Sequence, residues 1–214
     1  MPEVAAGAAD ELDDLRTACR AAVAHLTNAS VDSLIVVGSD TQTVRRIPPF
    51  GGTLLPWGID VPVGDPSGDL PLSLLIGAWR APAAGNFQSV ATDAPPAECL
   101  ALGRALAGEA PRIGLLVLGD GSACRTDKAP GYFDERAEGF DAAVASALAK
   151  ADAETLAAID PALAAELLAV GRAPWQVLAG ALDGVMHGEV MHGEVLYDDA
   201  PYGVAYLVAA WHRR

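Results

Sequence analysis

One stretch constrains this chain more than any other: Pro111 to Leu148, PRIGLLVLGDGSACRTDKAPGYFDERAEGFDAAVASAL. A continuous apolar run, Ile113 to Leu118, halts at Gly119-Asp120-Gly121-Ser122, and a charged loop follows until Asp134-Glu135-Arg136 opens a long Ala-rich amphipathic segment. A buried strand that feeds a polar loop and then a helix is the arrangement by which α/β folds place ligand chemistry at their strand ends.

The flanking segments extend the same pattern. Asp10 to Leu26 reads as a helix: Leu12, Leu15, Cys19, Ala22, Val23 and Leu26 recur at three- and four-residue spacings, acidic residues crowd the first turn, and Asn28 supplies a stop. Ser33 to Gly38 is a short β-branched apolar run, hence a buried strand, and the polar residues Ser39 to Thr43 form its end loop. Pro48 to Pro71 is punctuated by Pro and Gly and predicts irregular structure or short edge strands. It is either a binding surface, lid or partner contact, or a packed excursion held by Phe50, Leu54, Leu55 and Trp57. Leu72 to Trp79 reads as the next buried strand, a second Pro/Gly-rich excursion follows, and Glu98 to Ala107 reads as a helix that Gly103 weakens. Asp152 to Gly171 is Ala/Leu-rich helix restarted at Asp160-Pro161, and Trp175 to Leu182 is a further segment. After the turn Asp198 to Gly203, the run Val204 to Trp211 predicts a last strand. Strands separated by helical segments predict one three-layer α/β/α domain over residues 1–214 with a mostly parallel sheet, a size that one domain accommodates.

Charge and cysteine usage remove several function classes. With 28 acidic against 14 basic residues the formal net charge is −14, which repels phosphate backbones, and Arg45-Arg46 alone makes no basic patch. Three widely spaced cysteines, Cys19, Cys99 and Cys124, form no C-x-x-C pair and predict reduced thiols in the cytoplasm. The acidic N-terminus is not a signal peptide, and no apolar run approaches the ~20 residues a bilayer span needs. GDGSA carries two glycines after a strand but neither the third glycine nor the Lys-Ser/Thr of a phosphate loop.

Met186 to Val190 and Met191 to Val195 are the same five residues, MHGEV, back to back. Two His and two Glu in ten residues invite a metal site, yet a five-residue offset sends His187 and His192 to opposite faces of a strand. Within one copy, His and Glu share a face. The alternative is a local duplication in which one copy pairs in a sheet and the other bulges. His25 and His212 read as structural or solvated.

The segments GDGSACRTDKAPGYFDERAEGFDAAVASAL, GRAPWQVLAGAL and HGEVLYDDAPYGVAYLVAAW resemble actinobacterial proteins of the class III extradiol ring-cleavage dioxygenase family. The resemblance implies a three-layer α/β fold in which two His and one carboxylate hold a non-haem Fe(II), while a further His acts as acid/base beside a catechol-type aromatic substrate. It also implies a first strand, bearing a His ligand, that either is absent here or lies upstream of Met1. The second metal position is Ser39 or Asp40 here, the residue after Gly119-Asp120-Gly121-Ser122 is Ala123 instead of the acid/base His, and Asp199 corresponds to the carboxylate. On this basis Asp40, Asp199 and His192 are the candidate metal ligands, an oxygen-rich set that favours Mg²⁺, Ca²⁺ or Mn²⁺ over Fe(II). Asp120, Ser122 and Arg125 are the candidate catalytic residues, with Arg125 suited to an anionic group, and Tyr202 is a candidate substrate contact. Loop capping is the competing role for Asp120 and Ser122. Two readings stand: an altered dioxygenase-like enzyme, or a non-catalytic module that binds a small molecule or a protein, self-association included.

Overall fold

The computed structural model describes residues 10–183 and 190–213. In chain order the elements are α1 (Asp13–Asn28), β1 (Ser33–Asp40), β2 (Val44–Arg45), β3 (Gly51–Thr53), β4 (Pro62–Gly64), α2 (Leu72–Arg80), β5 (Asn86–Ala91), α3 (Pro96–Ala107), β6 (Ile113–Leu118), α4 (Arg136–Lys150), α5 (Ala153–Ala157), α6 (Pro161–Glu166), α7 (Arg172–Asp183), β7 (Met191–Asp199) and β8 (Tyr206–Arg213).

The main sheet runs β2-β5-β1-β6, with β1 parallel to both neighbours and only the two-residue β2 antiparallel. Alternation along β1 sorts the core into two layers. Ile35 and Val37 pack with Cys99, Leu106 and Val177, on the side of α3 and α7. Val36 packs with Phe87, Leu74 and Leu75, on the side of α2 and the β3–β4 hairpin. All three β1 side chains are fully buried, each contributing about 1.5–3 kcal/mol relative to exposure. The protein is thus α/β, with a mostly parallel four-stranded sheet and helices against both faces.

Helix packing depends on missing side chains at a few positions. A Cβ on Gly103 of α3 would stand 2.0 Å from the Val177 carbonyl oxygen, and one on Gly180 of α7 would stand 2.2 Å from that of Leu100. The two helices therefore cross backbone to backbone. Gly103, which the sequence alone marks as a weak spot in a helix, is the residue that permits this approach.

Three expectations need correction. Leu72 to Trp79 is α2, not a strand. Its buried positions Leu74, Leu75, Gly77 and Ala78 form a helical stripe behind the extended Pro71, and a short apolar run does not distinguish buried strand from buried helix by periodicity. Asn86–Ala91, inside the second Pro/Gly-rich excursion, is the strand β5 at the sheet's centre, with Phe87, Gln88, Ser89 and Val90 all buried. Its polar residues hide it: Ser89 Oγ donates to the Gln42 carbonyl and Gln88 Nε2 to the Ser89 carbonyl. Finally, the last strand β8 pairs only with β7, in a hairpin outside the main sheet. The second MHGEV copy opens that hairpin, while most of the first, including His187, lies outside the described residues.

Candidate site at the carboxyl edge of the sheet

Gly38 of β1 stands opposite Leu118 of β6, so Asp40 and Asp120 leave the sheet at the same edge. Beyond β6, three loops are sewn together by backbone hydrogen bonds. The Gly171 N–H donates to the Asp120 carbonyl at 2.9 Å and the Ala123 N–H to the Leu167 carbonyl at 3.0 Å. From the other side, the Gly121 N–H donates to the Ala205 carbonyl at 3.2 Å, the Ala205 N–H to the Ser122 carbonyl at 2.8 Å, and the Arg125 N–H to the Gly203 carbonyl at 3.0 Å. Gly119 is required where these loops meet, because a Cβ there would lie 2.4 Å from the Gly171 Cα.

Beneath the loops is a buried charge cluster. Asp141 of α4 is 1% exposed and Ser122 is 0% exposed. Asp141 accepts from the Ser122 N–H at 2.9 Å, the Ser122 hydroxyl at 2.5 Å and Arg125 Nη1 at 3.3 Å. Arg125 also faces Glu138 at 3.8 Å. A buried carboxylate needs such partners, and here they fix the loop between β6 and α4. Ser122 therefore anchors the loop as a donor to Asp141 through both its N–H and its hydroxyl, not by the local capping of nearby N–H groups expected from sequence, and Arg125 pairs with the same carboxylate.

Asp120 behaves differently. It is exposed, yet the protein around it displaces enough water that burial raises the carboxyl pKa. Among the described residues no donor or cation pairs with its carboxylate. Tyr206 lies beside it: burial and the Asp120 charge both raise the Tyr206 phenol. Tyr202 is 55% exposed, and its hydroxyl donates to Glu11 at 2.8 Å, which holds the phenol above its ordinary pKa together with burial and the Glu11 charge.

The three sewn loops share a backbone feature. Tyr132, Leu168 and Tyr202 have φ of 60°, 55° and 62°, a left-handed region that non-glycine residues occupy rarely and at a cost of about 1–3 kcal/mol. All three side chains are exposed, as is Phe133 beside them. Each loop thus holds one strained residue whose apolar side chain faces water, and Leu168 Cδ1 lies close to Gly131, one residue from Tyr132.

The candidate metal ligands do not assemble. Asp40 is committed to Arg46, whose Nη2 also donates to Ser89 Oγ at 3.3 Å. Asp199 is exposed at the end of β7, where it accepts from the Ala200 N–H at 2.7 Å. His192 is at the other end of that strand, opposite His212; seven residues of β-strand separate it from Asp199 by about 20 Å. Among the described residues no group of three or more His, Cys, Asp or Glu side chains is placed to hold a metal ion. Asp40, Asp199 and His192 thus do not come together as the two imidazoles and a carboxylate that hold Fe(II).

Two further cysteine and arginine positions are structural. Cys124 is buried, with Sγ 3.5 Å from the Leu167 carbonyl, and burial pushes its thiol up, opposite to what a nucleophile needs. Arg172 is 3% exposed and donates to Gln176 Oε1 at 3.1 Å and to the Ala94 and Thr92 carbonyls, tying α7 to the end of β5. Among the described residues, no helix is long and apolar enough to cross a membrane.

Asp141, Tyr206 and Arg172 escape a reading of the sequence alone. A signal existed for Asp141: it falls four residues after Ala137 and three before Val144, on the apolar stripe of α4, where an acid requires partners. No protein-family model matches the chain, and no curated protein matches it.

Proposed function

We propose that the protein is a small-molecule-binding module, built on a fold of the extradiol dioxygenase kind, that no longer cleaves aromatic rings. The observation that carries this reading is the closure of the Ser122–Asp141–Arg125 cluster on itself. Two of the three groups suited to acid/base or substrate-holding chemistry are committed to an internal carboxylate, and Ala123 has no proton to exchange. What remains accessible at the carboxyl edge is the exposed carboxylate of Asp120, the neighbouring phenol of Tyr206, and the exposed Tyr132, Phe133, Leu168 and Tyr202. Aromatic and aliphatic walls around one or two polar groups are the usual make-up of a ligand site, and the strain stored at three of the wall residues accords with a functional role. An aromatic ligand with a hydroxyl or amino group for Asp120 has the matching chemistry.

The test is amide chemical-shift mapping of the labelled protein with a panel of phenols, catechols and arylamines, followed by affinity measurement in Tyr132→Ala and Tyr202→Ala. Shifts centred on residues 119–135 and 200–206, with weaker binding in both variants, support the reading. A panel that leaves those amides unmoved overturns it.

A second reading, a protein-interaction module, is favoured by one observation: Leu55 and Trp57 on the β3–β4 excursion, and Ile47 just before it, are 59%, 50% and 79% exposed. Excising the whole excursion is not a usable test, since its Leu54, Val63 and Leu70 are buried in the core. Solution mass of Leu55→Ser/Trp57→Ser decides instead: loss of self-association in that variant supports this reading, and a parent chain that is already monomeric removes self-association from it.

A further inference from the structure

His192 and His212 face each other directly across β7 and β8, with ring centroids 5.9 Å apart and planes inclined by 26°. Opposed residues in an antiparallel pair project from the same face with Cβ atoms about 4.5–5.5 Å apart, so the two imidazoles leave the hairpin side by side. The alternate residues Val195, Leu207, Ala209 and Trp211 turn the other way, against Val144 and Leu148 of α4. The histidine pair therefore lies on the face away from that helix, with His212 exposed and His192 half-buried. From sequence, His212 reads as structural or solvated and His192 as a candidate ligand with Asp40 and Asp199; the register of the hairpin sets the two imidazoles side by side instead.

We propose that His192 and His212 form a two-imidazole site for a late first-row divalent ion of the Cu(II), Ni(II) or Zn(II) class. Imidazole is a preferred ligand of these ions, and bonds of about 2.0–2.1 Å from each ring nitrogen to one ion need only side-chain rotation from the observed stacking. The remaining positions are taken by water, which leaves the ion open to a further ligand. Glu194 lies two residues on, on the same strand face, opposite Ala210. A bound ion would clip the end of β7 to the end of β8. The site is at the opposite end of the hairpin from the Asp199–Tyr206 pair, so it stands or fails independently of ligand binding near Asp120.

Titration calorimetry of the untagged full chain with Zn(II), Ni(II) and Cu(II), together with Cu(II) electron paramagnetic resonance, tests the proposal. Removing even an outer partner of a metal ligand costs about 10–100-fold in affinity, so His192→Gln and His212→Gln are each expected to weaken binding by about 100-fold. His25→Gln, on α1, is expected to bind as the parent does. The parent Cu(II) spectrum should carry hyperfine structure from two imidazole nitrogens and each single variant from one, with far-UV circular dichroism unchanged. Undiminished binding in His212→Gln overturns the proposal, and is what an ion shared between the two MHGEV copies predicts. Absence of binding in the parent overturns it as well.

Discussion

Replacing Asp141 by Ala removes at one stroke the acceptor for the Ser122 N–H, the Ser122 hydroxyl and Arg125. Breaking a buried charge pair from one side costs about 3–5 kcal/mol, whereas Ser122→Ala leaves the carboxylate its other two donors and costs about 1–3 kcal/mol. Urea unfolding should rank the two variants in that order; equal losses would mean that the hydroxyl, not the carboxylate, anchors the loop. Asp120 carries the opposite expectation. Burial raises its native pKa, so the folded state holds a proton more tightly than the unfolded chain does. Its destabilising contribution is absent below the unfolded carboxyl pKa of about 3.9 and fully present above the raised native value. Asp120→Asn should therefore raise the melting temperature at neutral pH and lose that advantage in acid, and a variant less stable than the parent at pH 7 would contradict a carboxyl raised by burial. Both residues stand in a legible strand–loop–helix passage, and a structural part for Ser122 was readable there, though as local capping. Its partner was not, because Asp141 lies 19 residues downstream in an Ala-rich helix.

At the level of elements, the α3–α7 crossing sets the shape of one face of the sheet. A methyl on Gly180 would meet the Leu100 carbonyl oxygen at 2.2 Å and its Cα at 2.6 Å, backbone atoms that yield only if the helix moves. A methyl on Gly77 of α2 would meet Val36 Cγ1 at 2.4 Å and Leu118 Cδ1 at 2.7 Å, the tips of side chains that can turn. Thermal unfolding should show Gly180→Ala costing more than the about 1–3 kcal/mol of ordinary overpacking and Gly77→Ala falling within it. Similar losses would place the crossing on side chains. Strands β1 and β6 and helices α1, α3 and α4 were legible because each carries one clear period or one uninterrupted apolar run. Helix α2 read as a strand and strand β5 as an irregular excursion, each for a physical reason. A nine-residue helix buried against a sheet is apolar nearly throughout, and a central strand whose Ser89 bonds the Gln42 and Val44 carbonyls and whose Gln88 bonds within its own strand loses its apolar signature.

For the molecule as a whole, the carboxyl edge of the sheet is where β1, β6, the strained loops and the β7–β8 hairpin converge. The ring-cleaving site that the family resemblance implies would need imidazoles at that edge. The described residues place there an Asp40–Arg46 pair, a Ser122–Asp141–Arg125 cluster and Ala123, while His192 and His212 sit together at the far end of the hairpin. The sequence pointed to the edge itself through GDGS and the turn before β8, but not to which groups are spent on structure, since that depends on contacts between loops distant in the chain. Oxygen consumption of the full chain, incubated anaerobically with Fe(II) and then mixed with catechol and O₂, decides whether the proposed binding module still cleaves rings. Uptake no faster than that of Fe(II) and catechol without protein is expected; catechol-dependent uptake accompanied by a ring-opened product would contradict a module that only binds.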